Sequence, residues 1–74
     1  MNKCIFDKVL QLLGMNRIIA EKELEKACFE LHCESGNGDH KVVSYKLSSI
    51  IVRIIRIWYE VTDSGEFVRE IIFQ

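Results

Sequence analysis

Proline is missing from all 74 residues, and cysteine occurs only three times. A chain without proline that is 49% hydrophobic and 28% charged is excluded from the disordered class and reads as globular. Cys4, Cys28 and Cys33 form an odd, sparse set. A secreted disulfide scaffold carries an even and denser one, so reduced thiols in a cytoplasm are expected. Neither charge sign dominates, since ten basic residues face eleven acidic ones for a net charge of −1. That balance excludes a protein whose main work is gripping phosphates, although a local basic patch remains compatible with it. No hydrophobic run reaches the roughly 20 residues that a spanning helix needs. The richest, IIVRIIRIWYEV at residues 50–61, is interrupted by Arg53, Arg56 and Glu60. The opening MNKCIFDKVLQLLG is broken by Asp7 and Lys8 and is followed by no small-residue cleavage site, unlike a signal peptide. A single cytoplasmic domain over residues 1–74 is expected. A domain this short buries only about 60% of its unfolded surface and commonly needs a partner chain or another staple.

What is present begins with helical spacing. Ile5, Phe6, Val9, Leu10 and Leu13 fall on one face of a helix over residues 2–13. Gly14 supplies a stop and Asn16 a cap for the next element. From residue 17 to 34, Ala20, Leu24, Ala27, Cys28 and Leu31 form a core stripe. Opposite them lies a charged face of Glu21, Lys22, Glu23, Glu25, Lys26 and Glu30. SGNGD at residues 35–39 is a loop by composition. HKVVSYKL, which follows, is ambiguous: Val43, Tyr45 and Leu47 alternate as a strand would, but the run is short.

Residues 47–61 admit two readings. As a strand, both faces are mostly apolar and both carry charge, so neither qualifies as the wet side. As a helix, Ser49, Arg53, Arg56 and Glu60 recur at spacings of four, three and four and fall in one sector. Isoleucine and valine favour the strand by propensity. In EFVREIIFQ, Phe67, Val68, Ile71 and Ile72 again follow helical spacing, and Asp63 with Glu66 fits a capping box. TDSG could equally form a hairpin turn with glycine left-handed. The two-residue period fails in both segments, which predicts an all-α, four-helix domain. The alternative is α+β, with two helices followed by a small antiparallel sheet. On the helical reading the apolar arc of residues 47–61 spans about 220°, against the roughly 100° of a surface helix. A symmetric homodimer is therefore expected, with Ile50, Ile54, Ile57, Trp58, Tyr59, Phe67 and Phe73 as its interface.

Chemistry-bearing motifs are scarce. Cys28 and His32 share a helix face, and Cys33 and His40 lie nearby, but no CxxC or HxxxH pairing completes a zinc set. Cys28 reads better as a small core residue. No Cys or Ser is placed beside a base by a recognisable signature, and SGNG lacks the lysine of a phosphate loop. Neither an enzyme, a metal nor a cofactor is expected. Lys41, Lys46, Arg53 and Arg56 are the candidate nucleic-acid contacts, for a helix entering the major groove. Against them stand the many glutamates and the isoleucine content of that segment.

The order of a short helix, then ELEKACFELHCESG, a polar loop, an isoleucine-rich helix and a terminal VREIIFQ resembles the small enterobacterial connector proteins of the AriR, YmgA and YcgZ type. The likeness covers most of residues 9–74 as a pattern of hydrophobic positions, and GNGDHKVVS departs from it. It implies a dimeric helical regulator in biofilm, acid-stress or phosphorelay signalling, acting through protein contacts and through DNA in the alternative. It transfers no catalytic residue. The expected function is thus a small non-enzymatic regulatory or adaptor protein that binds itself and a further protein partner. The alternatives are a DNA-binding transcriptional regulator using residues 41–56 and a phage- or plasmid-encoded inhibitor of a host protein.

Overall fold

The computed structural model describes residues 7–36, 38–47 and 53–74. A helical turn over residues 7–10 leads through a turn at residues 11–14 into helix α1 (Arg17–Lys26). Four strands follow: β1 (Phe29–Ser35), β2 (His40–Leu47), β3 (Arg53–Thr62) and β4 (Gly65–Phe73). They form one antiparallel sheet in the order β1-β2-β3-β4, a meander in which every neighbour in sequence is a neighbour in space. The all-α expectation is therefore overturned: the helices that spacing predicts beyond residue 28 are replaced by strands at residues 29–35, 53–62 and 65–73. Ile5, Phe6, Ser49, Ile50 and Cys4 lie outside the described residues.

Gly14 ends the first helical segment at φ +84, and the Asn16 side chain accepts a 2.8 Å hydrogen bond from the Ile18 amide to cap α1. The helix was expected to run to residue 34 but stops at Lys26, and Cys28 takes the left-handed conformation, φ +68. That reversal turns the chain straight into β1. Cys28 is consequently exposed, not a core residue, and Leu31 is 54% exposed on the edge strand.

The failure of strand alternation has a local cause in each outer strand. β4 bulges opposite Trp58 and Tyr59: Tyr59 pairs with Val68, whereas Trp58 pairs with Glu70. Arg69 is the extra residue, so Val68 and Ile71 point to the same side although three apart. A bulge thus imitates the helical period. β1 bulges likewise between Leu31 and Cys33, which puts Leu31 and Glu34 on one side, opposite Tyr45 and Val43. In β3 the alternation is intact. Ile55, Ile57 and Tyr59 are buried, while Arg56, Trp58 and Glu60 are exposed. Arg53 stands at the strand's beginning. Propensity predicts this strand correctly, since β-branched residues fit a pleated, half-buried surface.

The core lies on one side of the sheet. Val9, Leu12, Ala20 and Leu24 pack from the helical layer onto Phe29, Val43, Tyr45, Ile55, Ile57, Tyr59 and Val68. At the far edge, residues 14–16 run beside β4, where the Gly14 amide donates to the Val68 carbonyl and the Val68 amide to the Met15 carbonyl. The hairpin TDSG closes between Thr62 and Gly65, with Gly65 at φ +132, as the rival reading required.

Candidate interaction surface

The helix-covered side carries a polar seam as well as the core. Arg17, 16% exposed, donates to Glu21 (3.1 Å), Glu34 (2.7 and 3.4 Å) and Glu66 (2.8 Å), and its guanidinium stands 5.2 Å from the centre of the Tyr59 ring. One side chain thereby ties α1 to both outer strands. Lys41 adds a second cation, 3.1 Å from Glu66 and 3.8 Å from Glu34. The hydrogen bond from Arg17 holds the carboxyls of both Glu34 and Glu66 below their ordinary range. The Tyr45 hydroxyl donates to Glu21 at 2.8 Å, which leaves Tyr59 to donate to Tyr45 at 2.7 Å. Burial raises both phenols, that of Tyr59 to about 12. Among the described residues no buried side-chain polar atom lacks a partner. The seam joins α1, β1 and β4 through ion pairs and through the paired Tyr45 and Tyr59 hydroxyls.

The opposite side of the sheet differs. Register places Val42, Ser44 and Lys46 beside Trp58, Arg56 and Ile54 respectively, then Glu70 beside Trp58 and Ile72 beside Arg56. Among the described residues no helix covers this side. Trp58 is 36% exposed at its centre, Ile72 is 43% exposed, and the His40 ring tilts against the indole with centroids 5.4 Å apart. Glu30, Glu60 and Glu70 share the face with Lys46, Arg56 and Arg69, and Arg69 approaches Glu60 at 3.6 Å. The face is therefore apolar and aromatic in the middle and charge-balanced around it.

The expected interface residues separate across the sheet. Ile54 and Trp58 lie on the open side, with Phe67 half-buried opposite Glu60. Ile57 and Tyr59 are fully enclosed in the core and have no surface to offer. Phe73 sits at the end of β4, opposite Ile55 on the helix side. Ile50 lies outside the described residues. The candidate nucleic-acid contacts separate too: Lys46 and Arg56 are on the open face, whereas Lys41 belongs to the polar seam and Arg53 pairs in register with Leu47 at the strand end. No continuous basic stripe results. Cys28, Cys33 and His40 are likewise dispersed, and no group of three or more metal-ligating side chains forms among the described residues. Val42 and Ile72, which sequence reasoning missed, become visible only through register, because β4's bulge hides which side Ile72 takes.

No described helix is long and apolar enough to cross a membrane. Comparison with known protein families, with curated proteins and with solved structures gives no match.

Proposed function

We propose that the chain is a non-enzymatic protein-interaction module that self-associates through its open sheet face. The observation that carries this reading is the apolar centre formed by Trp58, Ile72, Val42 and Ile54, which no helix covers among the described residues. Aromatic anchors of this kind supply most of the binding energy in protein interfaces. The occupant favoured by the surrounding charge is a second copy. Three acids and three bases on one face cancel, so a two-fold arrangement lets each cation meet an anion. Four strands about 4.8 Å apart and roughly 25 Å long give a face of about 500 Å² per partner. The pair would bury about 1,000 Å², the lower bound for a specific interface. Stacking two sheets at the usual ~10 Å separation makes a β-sandwich with helices outside.

Trp58 is the sole tryptophan and reports on its own burial. Its emission should shift to the red on dilution from about 100 µM to about 0.1 µM as the dimer dissociates. Ile72→Lys, which leaves the indole in place, should show the red-shifted emission at every concentration and sediment as a monomer. A wild-type chain that sediments as a monomer at about 100 µM would overturn the reading. So would an Ile72→Lys variant that remains dimeric.

A further inference from the structure

The open face carries one histidine, and it sits against the tryptophan at the centre. His40, at the start of β2, pairs in register with Glu60 on that face. Its ring leans on Trp58, with centroids 5.4 Å apart and planes inclined at 53°. The His40 side chain is 44% exposed and Trp58 is 36% exposed, so both still meet water. A second sheet stacked on Trp58 also covers the ring that leans against it. Histidine is the residue type that gains or loses its charge between about pH 5 and 8.

The groups around His40 decide which form a covered face accepts. Glu60 faces it from β3, but Arg69 of β4 already approaches that carboxylate at 3.6 Å. Phe67, opposite Glu60 on β4, brings no charge, and Glu70 reaches Trp58 from the side away from β2. Ser35 of β1, beside Val42, is uncharged. Asp39 stands 3.7 Å from His40 Nδ1, yet it is 95% exposed in the turn before β2. Of the two anions near the ring, one is thus shared with an arginine and the other stays in water. An imidazolium covered here loses its hydration without gaining an anion of its own, which disfavours the charged form. Attraction of the cation to the indole does not reverse the sign, because the ring contact is already made in the single chain.

We infer that protonation of His40 releases self-association through the open face, so that two copies pair at neutral pH and part in mild acid. The inference rests on the self-association reading above and adds its regulation. Two paired chains bind fewer protons than two free ones, so a falling pH draws the equilibrium towards free chains. The chain has one other histidine, His32, at the β1 bulge between Leu31 and Cys33. The Glu34 and Glu66 carboxyls, held below 4.5, titrate outside this range.

The test is sedimentation of the full chain over a concentration series at two pH values. Wild type should associate at least about ten-fold more weakly at about pH 5.5 than at about pH 7.5. His40→Phe keeps a ring against Trp58 but has no proton to gain, and should associate equally at both; His40→Gln repeats the comparison with a polar side chain. His32→Gln should keep the wild-type response. Circular dichroism confirms that each chain stays folded at both pH values. The contact is checked apart from pairing in Ile72→Lys: Trp58 emission should dim in acid, because protonated imidazole quenches a neighbouring indole, and should not dim when His40→Phe is added. Association that is indifferent to pH or tighter in acid would overturn the inference while leaving the dimer standing. So would a pH response that survives both His40 substitutions, or emission in Ile72→Lys that ignores pH. A wild-type chain that is single at both pH values instead removes the self-association reading, and this inference with it.

Discussion

Replacing Arg17 by methionine isolates what the polar seam contributes. Methionine keeps an apolar stem against Tyr59 but removes the guanidinium that reaches Glu21, Glu34 and Glu66. The seam lies at the rim of the core, where Glu34 is 37% exposed, so each ion pair must be discounted for solvent screening. At about 0.5–1 kcal/mol for each of the three screened pairs, with about 0.5 kcal/mol for the ring contact, the loss comes to about 2–3.5 kcal/mol. Lys41 remains beside Glu34 and Glu66 and limits the repulsion left behind. The penalty must also depend on pH. Arg17 holds the Glu34 and Glu66 carboxyls below the ordinary 4.5. Below that value the unfolded chain binds protons that the folded chain refuses. The stability these carboxylates provide is thus complete above 4.5 and drains away as acidity passes through their lowered folded values. Arg17→Met has already lost the cause of that lowering, so its deficit should narrow as the pH falls. Urea denaturation of both proteins at one fixed concentration, at about pH 7 and about pH 3, reads this directly. A deficit under about 0.5 kcal/mol at neutral pH, or one equally large in acid, would refute the reasoning.

Other parts of the fold make independent predictions. Ile57→Ala empties a fully buried position in the central strand and should cost about 2–5 kcal/mol, lowering the urea midpoint at unchanged fold by circular dichroism. At Gly36, φ +112, an added Cβ would stand 2.8 Å from the His40 carbonyl oxygen and 2.9 Å from the Lys41 Cα, both backbone atoms. Gly36→Ala should therefore lower the melting temperature more than Gly38→Ala, where nothing lies within 4 Å and only the φ of +66 is unfavourable. Tyr45 and Tyr59 titrate above their ordinary 10.0 because burial disfavours phenolate. Their contribution is complete below that value and is lost as pH rises through the raised folded values, about 12 for Tyr59. Phenolate absorbance should accordingly rise together with loss of the circular dichroism signal, and Tyr45→Phe should make that alkaline transition shallower.

The amino-terminal half is more legible than the carboxy-terminal half because its signals are local. Gly14 and Asn16 act within their own turns, and Ala20 and Leu24 keep one helical face. The turn at Gly38 and Asp39 announces itself by composition, and Val43 and Tyr45 alternate as a buried strand face should. The end of α1 was hidden for a different reason. Leu24, Cys28 and Leu31 continue a helical stripe in sequence, and nothing there requires Cys28 to adopt the left-handed backbone it takes. In β4, Val68 and Ile71 share a side through the bulge at Arg69 and so present a spacing that helices also use. Bulges are set by pairing with a neighbouring strand, and a single sequence carries no record of that pairing.

The same alternation changes what the surplus of apolar residues means. On a helix, Ile54, Ile57, Trp58 and Tyr59 would share one overlarge greasy arc. On β3 they separate, with Ile57 and Tyr59 entering the core while Ile54 and Trp58 face the open side. The described helical segments both lie on the core side, so they cannot also cover Trp58. An antiparallel sheet tolerates one wet face when polar residues alternate on it, and Lys46, Arg56, Glu60 and Glu70 fill that role here. Those charges set the expected strength of self-association as well as its partner. A face wholly made of isoleucine would give a dimer inseparable from folding. A tryptophan-centred patch ringed by balanced charge instead favours a reversible dimer whose monomer stays folded. Emission from Trp58 should therefore change on dilution while the far-ultraviolet circular dichroism stays constant, and loss of both signals together would show that the open face belongs to the core of an obligate dimer.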